Sequence, residues 1–86
     1  MRTDIARQLR ELRGFDILQQ ELAEKAGTSR QSISQYERGE RIPSTAALES
    51  ILCAMDVPAP QRHRYHDART RAVLEQQRVY PLDNSA

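Results

Sequence analysis

One stretch gathers side chains that can exchange hydrogen bonds with the edge of another polymer: Ser29, Arg30, Gln31, Ser34, Gln35 and Arg38, spaced around Ile33 and Tyr36. A guanidinium donates two parallel bonds, which suits the O6 and N7 acceptors of guanine, and a primary amide matches the donor–acceptor pair of adenine. A good two-point pair is worth about 1–3 kcal/mol of discrimination against the wrong base. An ordinary solvated helix face would carry a Lys/Glu mixture instead. Other chemistries find less support. His63 and His66 stand three residues apart beside Asp67, but no Cys or further His completes a zinc-type shell, so they read as polar residues of a charged helix and no metal is expected. The serines have no base and orienting partner in recognisable arrangement, so no catalytic residue is assigned and an enzyme is not expected. Cys53 has no resolving thiol for a redox switch.

The elements that position these side chains follow from apolar spacing. Thr3 or Asp4 caps a first helix with Ile5, Leu9 and Leu12 on one stripe, ended by Gly14. Asp16, three residues before Gln19, makes a weak capping-box pattern for a second helix through Leu22, Ala23 and Ala26. Gly27 stops it, Thr28 or Ser29 starts a third, and Gly39 closes that one. The turn at Gly27 is too short for antiparallel packing, so the second and third helices must cross steeply, with Ala23 and Gly27 suited to the tight contact. Pro43-Ser44 opens a fourth helix carrying Leu48, Ile51, Leu52 and Met55. Pro58 and Pro60 break the chain, and residues 61–77 read as a fifth helix along Tyr65, Ala68, Ala72 and Val73. Val79-Tyr80 could form a short strand pair in a dimer. The expected fold class is all-α, with four or five short helices.

Composition sets the limits. Eighty-six residues, 38% hydrophobic and 29% charged, make one small globular domain with little room for a buried catalytic pocket. No apolar run reaches bilayer length and the first residues carry no secretory pattern, so no membrane association is expected. A single cysteine points to a reducing, cytoplasmic setting. The net charge of +1 divides as eight basic against seven acidic residues over 1–43 and five against five over 44–86. A DNA-facing surface must therefore arise by segregating charge onto one side, because composition alone does not indicate one.

Several segments together carry a resemblance: Leu9-Arg10-Glu11-Leu12-Arg13, Gln19-x-x-Leu22-Ala23, Gly27-x-Ser29, Ile33-Ser34-x-x-Glu37-Arg38-Gly39, Pro43-Ser44, and Leu48 to Val57. Over roughly residues 5–57 the chain resembles the Cro and phage-repressor helix-turn-helix family, also called the xenobiotic-response-element type. The resemblance implies a compact lambda-repressor-like DNA-binding domain in which residues 30–37 form the recognition helix, its N-terminal end in the major groove. It implies base reading by Arg30, Gln31 and Gln35, with Ser29 and Ser34 beside them. Phosphate contacts are implied for Gln19, at a helix N-terminus, and for Ser32, Arg38 and Arg41. Arg13 and Glu37 occupy positions of an internal ion pair and read as structural. Three departures stand out: the turn between Arg13 and Gln19 is one residue short, Leu18 replaces the usual capping Ser or Thr, and Glu40 puts an acid in the phosphate-contacting turn.

The implied partner is double-stranded DNA, read by a homodimer acting as a repressor on a near-palindromic operator, with no cofactor. Residues 1–60 form the DNA-binding part, and residues 61–86 supply dimer contacts, chiefly Tyr65, Val73, Leu74, Val79, Tyr80 and Leu82. The competing expectation is a protein-binding module, an antitoxin or anti-activator built on the same fold.

Overall fold

A computed structural model describes residues 4–79 as five helices: α1 (Asp4–Arg13), α2 (Gln19–Ala26), α3 (Arg30–Arg38), α4 (Thr45–Ala54) and α5 (Ala59–Val79). No strand occurs among the described residues, and Tyr80, half of the suggested strand pair, lies outside them. α2 packs on both α3 and α4, α1 lies across α3 and α5, and α5 closes over α4. One core joins all five helices, with Ile5 and Leu9 from α1, Leu22 from α2, Ile33 and Tyr36 from α3, Leu48 and Leu52 from α4, and Tyr65 from α5. Fully burying such side chains stabilises by about 1.5–3 kcal/mol each, which is what fixes the short helices α2 and α3. Ala68 and Ala72 are buried on α5, and their small side chains let that helix approach α1 closely.

The helix ends follow local chemistry. The Ser29 hydroxyl accepts from the Ser32 amide at 3.0 Å, and Ser44 accepts from Ala47 at 3.0 Å, so both serines cap as polar residues at those positions should. Gly27 and Gly39 adopt the left-handed conformation, with φ of 73° and 77°, that turns the chain back after α2 and α3. After α4 the left-handed residue is instead Asp56, just past the Met55 cap, whose φ of 58° is tolerated by a short polar side chain.

Two expected boundaries move. Asp16 does not open α2. Extended Leu18 precedes the helix, and its amide donates to the Glu21 carboxylate at 3.1 Å. Leucine has no acceptor to return, so only the acidic half of a capping box forms. α5 begins at Ala59 rather than residue 61, because Pro60 sits in the first turn, where a missing N–H costs nothing.

Candidate nucleic-acid interface

Nine residues of α3 sort by face. Ile33, Tyr36 and Glu37 point inward, at 1%, 5% and 3% exposure. Their spacing of three and four residues leaves the opposite edge to Arg30 and Gln31, both exposed, and to Ser34 and Gln35, both half-buried. Arg30 and Gln31 have no side-chain partner among the described residues, so their hydrogen-bonding groups are open to a ligand. α2 supports this edge from beneath through Leu22 and Ala23, at 2% and 1% exposure.

Buried Glu37 ties three elements together. Its carboxylate accepts from Arg13 Nε at 2.6 Å, from Arg13 Nη2 at 2.8 Å and from Gln19 Nε2 at 3.0 Å. Its main-chain carbonyl accepts from Arg10 Nη1 at 2.9 Å. Arg13 also donates to the Ile17 carbonyl at 3.0 Å, holding the shortened α1–α2 turn. Hydrogen bonding to Glu37 raises the Arg13 guanidinium above its ordinary pKa, against the opposing effect of partial burial. The ends of α1 and α2 are thus fastened to the C-terminal end of α3. Gln19 spends one amide hydrogen on this junction and keeps the other.

The turn after α3 binds its own cations. Arg38 donates to both oxygens of Glu40, at 2.9 and 3.0 Å. The hydrogen bond from Arg38 holds the Glu40 carboxyl below its ordinary range. Arg41 folds back over the Tyr36 ring, 5.3 Å from its centroid, and donates to Gln35 Oε1 at 3.1 Å and Ser32 Oγ at 3.4 Å. Ser32 Oγ in turn accepts from Ser29 Oγ at 3.1 Å.

The expected residues therefore divide. Ser29, Ser32, Gln35 and Arg41 form one network on the exposed edge of α3, with Arg30, Gln31 and Ser34 beside it. Gln19 lies at the Glu37 junction, and Arg38 is engaged by Glu40. The expected dimer set is split. Tyr65 is a correction: it is only 6% exposed and belongs to the protomer's own core, because its α5 face packs inward with Ala68 and Ala72. Val73 is half-buried and Leu74 is 52% exposed, while Val79 ends α5 and Tyr80 and Leu82 lie outside the described residues.

Some contacts have no counterpart in the sequence pattern. His66 Nε2 bonds Glu49, which also accepts from Arg62 at 2.8 Å, so this histidine clips α5 to α4. No group of three or more His, Cys, Asp or Glu is placed to hold a metal among the described residues. Nor is any described helix long and apolar enough to cross a membrane. Phe15 is fully exposed and Leu18 is 66% exposed in the α1–α2 turn, a pattern that apolar periodicity cannot flag because neither residue lies on a helical stripe.

Comparison with curated proteins gives no match. A family model described as helix-turn-helix matches residues 7–61, which runs from α1 into the first turn of α5 and takes in the crossing of α2 and α3. A packed pair of short helices with a polar outer edge, inside a match covering more than half of the chain, leaves one assignment: this chain belongs to the Cro/C1-type helix-turn-helix family and carries the fold of a DNA-binding regulator.

Proposed function

We propose that the protein is a sequence-specific transcriptional regulator, a repressor that binds a near-palindromic operator as a homodimer. The observation that carries this reading is the open edge of α3, where Arg30 and Gln31 stand exposed beside Ser34 and Gln35 over a buried apolar face. α3 enters the major groove, with Arg30, Gln31 and Gln35 at base edges and Ser29 and Ser34 alongside. Gln19, Ser32, Arg38 and Arg41 serve the phosphates. One helix of this length covers few base pairs, and two-fold pairing doubles the site, with recognition helices about 34 Å apart. The exposed end of α5 around Leu74 supplies the pairing surface, and repression follows from occlusion of the operator. A cytoplasmic setting accords with the free thiol of Cys53.

A second reading, a protein-binding module, has its own support in exposed Phe15 and Leu18, since large apolar side chains together in one turn suit a protein surface. Electrophoretic shift with the protein's own upstream DNA at two salt concentrations separates the two. Retarded bands that weaken at higher salt are expected. Absence of any shift at micromolar protein would remove the regulator reading and leave the second.

A further inference from the structure

Gln35 and Gln31 lie one turn apart on α3, yet their amides are not equally free. Gln31 has no side-chain partner among the described residues and can present its carbonyl and its amino group in either order. Gln35 Oε1 accepts from Arg41 Nη1 at 3.1 Å. A guanidinium has donors and no acceptor, so this bond can be made only with the Gln35 oxygen turned toward Arg41 and the amino group turned away. Arg41 is itself held at several points. Its guanidinium stacks over Tyr36 and reaches Ser32 Oγ. Its backbone amide, like that of Glu40, donates to the main-chain carbonyl of Gln35, at 3.3 and 2.9 Å. The turn following Gly39 is thus folded onto the very residue whose side chain it orients.

From this geometry we infer that Arg41 is a positioning residue for sequence reading: it holds the Gln35 amide with its oxygen toward the turn and its amino group outward, which selects guanine over adenine. The inference rests on the DNA-binding reading above. A free glutamine reads adenine by donating to N7 while accepting from N6. With its oxygen turned toward Arg41, Gln35 presents its N–H groups outward, and accepting from adenine N6 would require that oxygen to serve two donors at once. Guanine meets them with two acceptors, O6 and N7, and thymine with one, O4. Adenine accepts at N7, but its N6 amino group must then share the oxygen already bonded to Arg41, and cytosine presents a donor alone. The order expected at the base beneath Gln35 is guanine, then thymine, with adenine and cytosine disfavoured. Gln31, unconstrained, keeps the adenine-matching option. Arg41 retains further donors for a phosphate, so both roles fit one side chain.

The test is selection of bound DNA from a random duplex pool by the wild-type chain, Gln35→Ala and Arg41→Ala, each checked for helix content by circular dichroism. Gln35→Ala identifies the base position concerned as the one whose preference collapses. At that position the wild-type chain should enrich guanine over adenine by about fivefold or more, the lower end of a two-point contact. Arg41→Ala should bring adenine to parity with guanine or above it, in addition to any general loss of affinity. A role confined to phosphate would weaken binding without changing this ratio. The inference is overturned if the wild-type chain enriches adenine there, if Arg41→Ala leaves the ratio unaltered, or if Gln35→Ala disturbs no position. The wild-type arm decides even if Arg41→Ala does not fold. A pool with no enrichment for the wild-type chain is a separate result, because it removes the DNA-binding reading itself.

Discussion

Arg13 and Glu37, twenty-four residues apart, meet through two parallel hydrogen bonds at 2.6 and 2.8 Å, with the Glu37 side chain only 4% exposed and that of Arg13 18%. Glu37 lies on the inner face of the helix whose outer face carries Arg30 and Gln31, so this pair sets how that helix sits on α1.

Removing Arg13 takes two charge-assisted hydrogen bonds from a buried carboxylate, and breaking a buried pair in this way costs about 3–5 kcal/mol. Arg13→Ala should therefore lower the urea unfolding free energy by about 3 kcal/mol or more. The double variant Arg13→Met/Glu37→Met, which leaves no buried charge, should lose clearly less. A double variant as unstable as the single one would show that the pair contributes through packing rather than charge.

Much of this junction is legible in the residues themselves. Arg13 and Glu37 fall at family positions for an ion pair, and the caps at Ser29, Ser44, Gly27 and Gly39 follow from residue type alone. The chain is less informative where function depends on turn geometry. Arg38 meets Glu40 and Arg41 meets Gln35 only because left-handed Gly39 reverses the chain, and side chains two or six apart have no fixed relation in a regular helix. Tyr65 misleads for another reason: an aromatic residue on the last helix fits a dimer seam or a core equally well, and only the approach of α5 to α1 and α4 decides. The start of α2 is hidden because its cap comes from Glu21 reaching back, while Leu18 has no capping side chain.

Glu40 competes with phosphate for Arg38. Glu40→Gln removes the competing charge and should leave Arg38 free for the DNA backbone. Binding to unrelated sequences should strengthen at low salt, and the slope of log K against log salt should steepen by about 0.9, the value for one added phosphate contact. An unchanged slope in a salt titration would place Arg38 away from the backbone.

Gln31 offers both halves of its amide to a base. Gln31→Ala should reduce the preference for the cognate operator over a single-base variant by about fivefold or more, with little effect on binding to random DNA. Competition shifts with both duplexes measure this directly. Equal loss on both would assign Gln31 to the backbone.

Acid sensitivity should trace partly to the α4–α5 clip. The hydrogen bond from His66 lowers the Glu49 carboxyl below its ordinary value of 4.5, against an opposing effect of desolvation, and the Arg62 guanidinium lowers it further. A carboxyl depressed in the folded state contributes stability that is complete above the unfolded value and is lost as pH falls through the folded one. Urea midpoints should therefore drop between about pH 5 and pH 3, and Glu49→Gln should flatten that drop while starting lower at neutral pH. Asp4 and Glu40 are depressed as well and leave a residual slope. Identical profiles for the two proteins would mean that the clip does not form in solution.

Leu74 gives the dimer reading its sharpest test, because it is half exposed on α5 and stands outside the packed core. A charge there should leave the protomer folded, since surface substitutions away from buried features usually change stability by no more than about 0.5 kcal/mol. If two α5 ends pair through this residue, Leu74→Glu places two carboxylates against an apolar seam, and like charges brought together there oppose association. Sedimentation equilibrium should show the dimer dissociation constant rising by about tenfold or more. On a palindromic duplex, occupancy should change from cooperative two-protomer binding to independent half-site binding. The half-site contacts made by α3 should persist, because Leu74 is on a different helix. Cooperative binding undiminished by Leu74→Glu would place the pairing surface elsewhere, and loss of half-site binding together with cooperativity would mean that the substitution had damaged the protomer.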